Sequence, residues 1–482
     1  MALRTSWLEP RKLLALTSVL GGLAVSANAW AVPSFSRQTG WSCATCHTSY
    51  PQLTPMGRMF KLMGYTTENL QPQQKIDAKV GKVVHLLLPR ISQFSVFIQA
   101  ADTHVAGGQA VLGAPSRANG GTVGGNNNLQ VPKQVSLFYA GEITPHVGDF
   151  LHITYSGTSG GFAFDDSSIV RAQAWKLGRY NTLITGVDVN NTPSATDLWN
   201  TSTDWQAPFF TSNYTAEGAV PTTFIAASQG ASFPLIGLGA YAADIVGPNR
   251  ANWFYVEADA YNNSEGTGAA PNAAGSFTEG GSNSAFGQLA GTAPYFRLAY
   301  QHDWSDWNWE VGTYDMWSRV YASPTSSAVD RFYDYDLDSQ LQWLDINDNS
   351  NVTVRANLIH EDARFAADDV GPTSGSSLTH GQLNTFNLNA TYWYHDEYGA
   401  QGGFQDVTGT ANSNFWGGNI YTSANGSPNT TDEWVEASYL PWWNTRLSVR
   451  YTVFNKFRGL TGNNGVSPSK FNTIELLAWI AY

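Results

Sequence analysis

The two cysteines of the chain lie three residues apart, with a histidine directly after the second: Cys43-Ala44-Thr45-Cys46-His47. Cys-x-x-Cys-His is the spacing of c-type haem attachment. Two thiols so placed can add across the two vinyl groups of one porphyrin, and the adjacent imidazole then lies under the iron. A thioredoxin-like pair shares the Cys-x-x-Cys spacing but needs a βαβ context, which the flanks lack. A local disulfide is the plainest alternative. That one motif uses every cysteine in the chain weighs for haem.

An electron-transfer haem takes a second axial ligand, and methionine opposite histidine raises its potential. Beyond Met1 the sequence has four methionines, three of them at positions 56, 59 and 63. Thr54 suits an N-cap, Pro55 the first helical turn and Gly64 the C-terminal stop. On that helix Met56, Met59 and Met63 share one face, so any of them is a distal-ligand candidate. The plainer role for such a stripe is packing on the haem face. His85 is an outside candidate that would give a bis-histidine site.

The elements that carry this motif begin with an address. Arg4, Arg11 and Lys12 precede an apolar stretch from Leu13 to Val25, and Ala27-Asn28-Ala29 follows. Residues 1–29 thus form an expected signal peptide cleaved after Ala29 or Ala31, and the chain is expected to be exported. The rest is unusual in composition: 13% charged, against about 25% in soluble domains, 13% aromatic, with 46 Gly and 18 Trp. No run of 18 apolar residues follows the leader, which excludes helical spans. Net charge −12 without a basic block argues against nucleic acid as a partner.

From about residue 90 the periodicity is two. Tyr333, Tyr335, Leu337, Leu341 and Trp343 alternate with Asp334, Asp336, Asp338, Gln340 and Gln342; Leu447, Val449, Tyr451 and Val453 alternate with Arg446, Ser448, Arg450 and Thr452. Sixteen such segments of about ten residues match tilted membrane strands. Their connections are expected to alternate: seven residues or fewer at one end, twelve or more at the other, including 157–168 and 316–331. Pro221–Ser228 is absorbed into a loop. Short periplasmic turns, long outer loops and an apolar terminal strand ending in Tyr482 predict an outer-membrane barrel, with Trp253, Trp304, Trp307, Trp393, Trp442 and Trp443 in its interface girdles. The expected fold is therefore all-β: an antiparallel transmembrane barrel of about 16 strands over 90–482, preceded by a small α-helical monohaem domain over 32–89. That domain would be roughly 25–27 Å across, against a belt about 25 Å tall. It has two placements open to it, as a lumen plug or below an open pore at the periplasmic face.

Val32-Pro33-Ser34-Phe35-Ser36-Arg37-Gln38-Thr39-Gly40, the haem motif, Pro51-Gln52-Leu53-Thr54-Pro55, Gly57-Arg58, Phe60-Lys61 and Gly64-Tyr65 together resemble the fused outer-membrane cytochrome c–porin family of iron-oxidising bacteria. The motif match covers about residues 32–66; elsewhere the likeness is one of architecture and length. The resemblance implies an oxidoreductase of a Gram-negative outer membrane. It would take electrons from extracellular Fe(II) through one c-type haem to a periplasmic cupredoxin or soluble cytochrome c. It also implies that Cys43 and Cys46 bind haem covalently and that His47 is the proximal ligand; Met56, Met59 and Met63 stay open as distal candidates. Asp334, Asp336 and Asp338 share one face and could form an entry path of hard oxygen ligands for Fe(II), with Arg446 and Arg450 as charges that could offset them. Two other readings compete: an outward conduit to extracellular acceptors, and a substrate-specific porin whose haem is regulatory.

Overall fold

The computed structural model describes residues 33–49, 51–67, 73–80, 82–89, 93–107, 128–157, 161–201, 223, 235–263, 289–321, 328–345, 347–366, 379–411, 426–460 and 467–482. The expected leader and its cleavage sites lie outside them, as does Pro221–Ser228 apart from Thr223.

Three short helices open the described chain: α1 (Pro33–Thr39), α2 (Cys43–Cys46) and α3 (Pro55–Leu62). Between α2 and α3, β1 (His47–Ser49) pairs with β2 (Gln52–Leu53). A hairpin of β3 (Gln73–Val80) and β4 (Lys82–Pro89) follows, so the segment expected to be helical ends in two strands, with His85 on the second. The barrel then runs through β5 (Phe94–Val105), β6 (Asn128–Thr144), β7 (Val147–Ser156), β8 (Gly161–Phe164), β9 (Ser168–Lys176), β10 (Thr182–Asn190), β11 (Leu235–Val246), β12 (Asn252–Asn263), β13 (Ala293–Trp304), β14 (Trp307–Tyr321) and β15 (Val329–Asp345). It continues with β16 (Ser350–Arg364), β17 (His380–Tyr394), β18 (Tyr398–Gly409), β19 (Thr430–Trp442), β20 (Thr445–Lys456) and β21 (Thr473–Ala481). β21 pairs with β5 and closes the ring. Because β8 and β9 pair with successive stretches of β7, they are two pieces of one barrel position. The barrel is sixteen-stranded and antiparallel.

Parity decides which face is which. On β15, Asp334, Asp336, Asp338, Gln340 and Gln342 are buried, whereas Tyr335 and Leu337 are exposed. On β12, Trp253, Tyr255, Glu257, Asp259 and Tyr261 are buried and Phe254 and Val256 exposed. Polar groups thus face the lumen and apolar side chains face outward, the inverse of a soluble core. A closed ring with such a belt satisfies every backbone donor and acceptor within lipid, which places the chain in an outer membrane. Trp304, Trp307 and Trp442 are exposed near strand ends, as girdle residues should be. Trp253 and Trp393 correct the expectation: each sits one residue out of phase with the outward row and points inward, fully or nearly buried.

Turns of two to five residues join β6–β7, β9–β10, β13–β14 and β19–β20 at one end of the barrel. Two expected long loops shrink. The segment 157–168 contains β8, whose Gly-Phe-Ala-Phe sequence is too short to register as a strand by pattern alone. The segment 316–331 is mostly wall, since β14 runs to Tyr321 and β15 starts at Val329; the ladder continues past the apolar belt, where lipid no longer selects the outward residues.

The helical segment sits inside the ring. Ser34 donates its backbone N–H to Ser95 Oγ on β5 (3.0 Å), Gln38 its side-chain amide to Ala140 on β6 (2.9 Å), and Tyr241 on β11 its hydroxyl to Leu62 (2.5 Å). Arg58 donates to Asn308 on β14 (2.5 Å) and Gln342 on β15 (2.9 Å), and Gln52 to Thr391 on β17 (3.4 Å). Strands on all sides of the circle are touched, near their short-turn ends. A second inward segment, α4 (Pro193–Thr196) with Asp197–Thr201, packs beside it: Trp199 is buried and donates to Gln301 Oε1 (2.9 Å). Toward the long-loop end the lumen-facing residues turn aromatic and apolar, with Tyr261, Tyr295, Tyr314, Met316 and Phe332 in one cluster.

Candidate functional site

The haem-motif residues are positioned by local backbone chemistry. One helical turn, α2, carries both cysteines, and no disulfide joins them. Thr54 caps α3 by accepting from Gly57 N (3.1 Å), Pro55 holds the first position, and the same threonine hydroxyl donates to Thr45 O (2.7 Å). Thr54 N donates to Cys46 O (3.0 Å). The two helices are thus fastened to each other at the cysteines. Gly57 lets them meet: a Cβ there would lie 2.1 Å from Cys46 O. Arg58, fully buried, donates to Leu53 O (2.7 Å) as well as to Asn308 and Gln342, which moors the helix to the barrel wall. Burial lowers its pKa to about 10, an effect that Asp303 and Glu310 oppose. Lys61 donates to Asp197 O (2.7 Å); burial lowers its pKa against the pull of Asp197, Asp166 and Glu257.

Cys43, Cys46 and His47 converge on a cavity of about 460 Å³, within the range of cofactor sites. Phe35, Trp41, Phe60, Tyr65, Phe138 and Phe150 give it an aromatic wall. Burial, and then the neighbouring Cys43, push the Cys46 thiol up to about 11; a disulfide oxidoreductase needs the opposite shift. Burial lowers His47 to about 4 against a hydrogen bond with the Gln52 backbone, so its imidazole is neutral and suited to ligation. The donor set, the aromatic wall and the volume all fit one c-type haem.

Met56 is exposed on α3; Met59 and Met63 are half-buried against the aromatic cluster of Phe60, Tyr65 and Tyr241. None of the three lines the cavity, whereas His152 on β7 does. Its ring stacks on Phe138 (4.2 Å between centroids), its Nδ1 lies 3.6 Å from Asp165 Oδ2, and its Nε2 lies 2.9 Å from Thr154 Oγ1. Asp165 and Asp166 reach the cavity because the barrel strand breaks between β8 and β9. Three residues there, 165–167, face only two on β7, 151 and 152, so the wall bulges inward. The sequence carried a signal for His152, since it alternates with Leu151 and Ile153 and so faces the lumen with Thr154.

The acidic row on β15 does not act as three equal ligands. Asp338 pairs with Arg297 (2.6 Å) and accepts from Thr201; the same guanidinium lies 3.6 Å from Asp197 and 3.7 Å from Glu310. Asp334 and Asp336 are buried further along the same face. Arg446 and Arg450 both pair with Glu436, the latter at 2.6 Å, not with the β15 aspartates. Sequence reading passed over a second acidic group: Asp188 on β10 with Glu257 and Asp259 on β12, whose carboxylate oxygens lie within 4.8 Å of one another.

No protein-family model matches the chain, and no curated protein matches it. Among solved structures it is similar to a loop L8 deletion mutant of OmpT, an outer-membrane protein of Vibrio cholerae. That likeness has 8% identity and a TM-score of 0.41 over 81% of this chain and 98% of the other. It is also similar to the outer-membrane channel DcaP of Acinetobacter baumannii, at 11% identity and a TM-score of 0.40 over 81% and 96%.

Proposed function

We propose that this chain is an outer-membrane c-type cytochrome built into its own barrel, which oxidises extracellular Fe(II) and passes electrons to a periplasmic cupredoxin or soluble cytochrome c. The observation that carries the reading is the meeting of Cys43, Cys46 and His47 at one aromatic-walled cavity within the ring of strands. Cys43 and Cys46 would hold haem by thioethers and His47 would be its proximal ligand. Haem so held supplies one-electron redox chemistry. The residues of the chain do the rest. Phe35, Trp41, Phe60, Phe138 and Phe150 exclude water, and a dry wall favours the reduced, less charged state and a higher potential. Arg58, Gln52 and Gln38 fix the helical segment to the wall. The hydrogen-bonded ring and its outward belt keep lipid from the site. His152, which lines the cavity beside Asp165, would be preferred as the second iron ligand to Met56, Met59 and Met63, which do not line it. Asp334 and Asp336 remain part of a proposed Fe(II) path; Asp338 serves Arg297.

Rapid mixing of the purified protein with Fe(II) tests the reading. Reduction of the haem band, absent in Cys43→Ala, is the expected result. A haem midpoint below that of the Fe(II) donor would favour the outward conduit. A haem band indifferent to Fe(II) in a protein that conducts ions in planar bilayers would favour the substrate-specific porin.

A further inference from the structure

Three adjacent strands build a hollow in the lumen wall. Register places Asp188 (β10), Gly239 (β11) and Asp259 (β12) in one row, with Tyr241 and Glu257 in the row toward the short turns and Asn190, Gly237 and Tyr261 in the row beyond. A Cβ at position 239 would lie 2.0 Å from Asp259 Oδ1 and 2.8 Å from Asp188 Oδ2. The glycine is what lets carboxylates from two non-adjacent strands approach each other. All three are at least nine-tenths buried: Asp188 is 2%, Glu257 1% and Asp259 5% exposed.

The hydrogen bonds among the described residues satisfy only part of this acidic group. Asn190 Nδ2 donates to Asp188 Oδ1 (2.6 Å) and to Asp259 Oδ1 (2.9 Å). Tyr261 OH (2.8 Å) and Thr192 N (3.1 Å) both donate to Asn190 Oδ1, which fixes the orientation of the amide. Asp188 Oδ2, Asp259 Oδ2 and both oxygens of Glu257 are buried without a hydrogen bond. The hydroxyls of Thr196 and Tyr255 and the carboxylate of Asp259 are the groups closest to Glu257, and the Thr196 hydroxyl donates to Pro193 O. Among the described residues, none of the three carboxylates is in an ion pair; the nearby cations, Arg297 and Lys61, are held by Asp338 and by Asp197 O. Acidic groups crowded in a dry wall repel one another strongly, and buried polar atoms left without partners are costly.

We propose that Asp188, Glu257 and Asp259 form a binding site for one hard divalent cation of the Mn(II), Fe(II) or Mg(II) class, with Asn190 orienting the two aspartates. Oxygen-only donors select that class. One aromatic layer separates the site from the haem cavity. Tyr255 lies two residues from Glu257 on the same face, its ring is 6.1 Å from that of Tyr241, and both pack with Tyr65 against α3. That the natural occupant is Fe(II) rests on the function proposed above; the existence of the site does not.

Titration of the purified full-length protein with Mn(II) near neutral pH, following the loss of the free-ion signal by electron paramagnetic resonance, tests the proposal. One ion bound per chain is expected. Asp188→Asn and Glu257→Gln should weaken binding at least about tenfold, and Asn190→Ala about 10–100-fold. Gly239→Ala should abolish binding with every ligand still present. Asp432→Asn, a buried carboxylate on β19 outside the cluster, should bind as the parent does. Retained heat-modifiable gel mobility of each variant establishes that its barrel has folded. No saturable Mn(II) binding, or binding unchanged in Asp188→Asn and Glu257→Gln, would overturn it. The haem band is read from the same samples: Mn(II) binding without haem would refute the cytochrome reading alone, and haem without Mn(II) binding the cation site alone.

Discussion

Gly57→Ala sets two effects of opposite sign against each other. Position 57 is the third residue of α3, and glycine in a helix costs about 1 kcal/mol relative to alanine, so helix propensity alone makes the substitution stabilising. The added methyl, however, would lie 2.1 Å from Cys46 O and 2.9 Å from its carbonyl carbon. Ordinary contact begins near 3.5 Å, so α3 must retreat from α2 by more than an ångström. That movement breaks the bonds from Thr54 N to Cys46 O (3.0 Å) and from Thr54 Oγ1 to Thr45 O (2.7 Å), each worth about 1 kcal/mol. Overpacking adds about 1–3 kcal/mol. The clash wins, and the expected net loss is about 2–4 kcal/mol of helical-segment stability. Urea denaturation followed through haem absorbance and tryptophan fluorescence measures it. A midpoint equal to or above that of the parent, with full haem content, would refute the claim that close approach of α3 to Cys46 shapes the cavity.

Three further outcomes follow from the same structure. Arg58→Met removes donors to Leu53, Asn308 and Gln342 and, by leaving three buried acceptors unsatisfied, should loosen the helical segment by about 3–5 kcal/mol, seen as faster proteolysis of that segment and higher ion conductance in planar bilayers; unchanged conductance would show that these bonds do not hold it in the lumen. His152→Ala should shift the haem midpoint, and the near-infrared band of methionine-ligated haem should be absent from the parent; that band in the parent would return the distal role to Met56, Met59 or Met63. Burial lowers the folded His47 imidazole to about 4, below its ordinary 6.5, so in haem-free chain the unfolded state takes up the proton first as pH falls. Stability is complete above about 6.5 and declines by about 3 kcal/mol on descent to about 4; urea midpoints across that window should show the slope, and His47→Asn should lack it.

What was legible in the sequence was local or periodic. The Cys43–His47 spacing is fixed within one helical turn, and the Thr54, Pro55 and Gly64 signals sit beside the helix they bound. Period-two alternation located all sixteen barrel positions, because lipid selects the outward residues of each strand. It located strand ends poorly, since β14 continues to Tyr321 beyond the region where lipid selects. Aromatic identity alone misassigned Trp253 and Trp393; the parity of Phe254 and Tyr392 would have turned both inward. Arg446 and Arg450 were weighed against the β15 aspartates, but their partner, Glu436, is on the neighbouring strand β19, where register decides. The Asp188–Glu257–Asp259 group was least legible: β11 separates its two strands, and the lack of a Cβ at Gly239 lets the two aspartates meet.

Cys43, Cys46 and His47 are proposed to hold a haem inside a lipid-embedded ring of strands. The most direct test of this is the covalent haem content of the chain purified from the outer-membrane fraction of cells with an intact cytochrome c assembly system. One haem per chain is expected, resistant to acid–acetone extraction and lost in the Cys43→Ala, Cys46→Ala double variant. Membrane-inserted chain without covalent haem would contradict it.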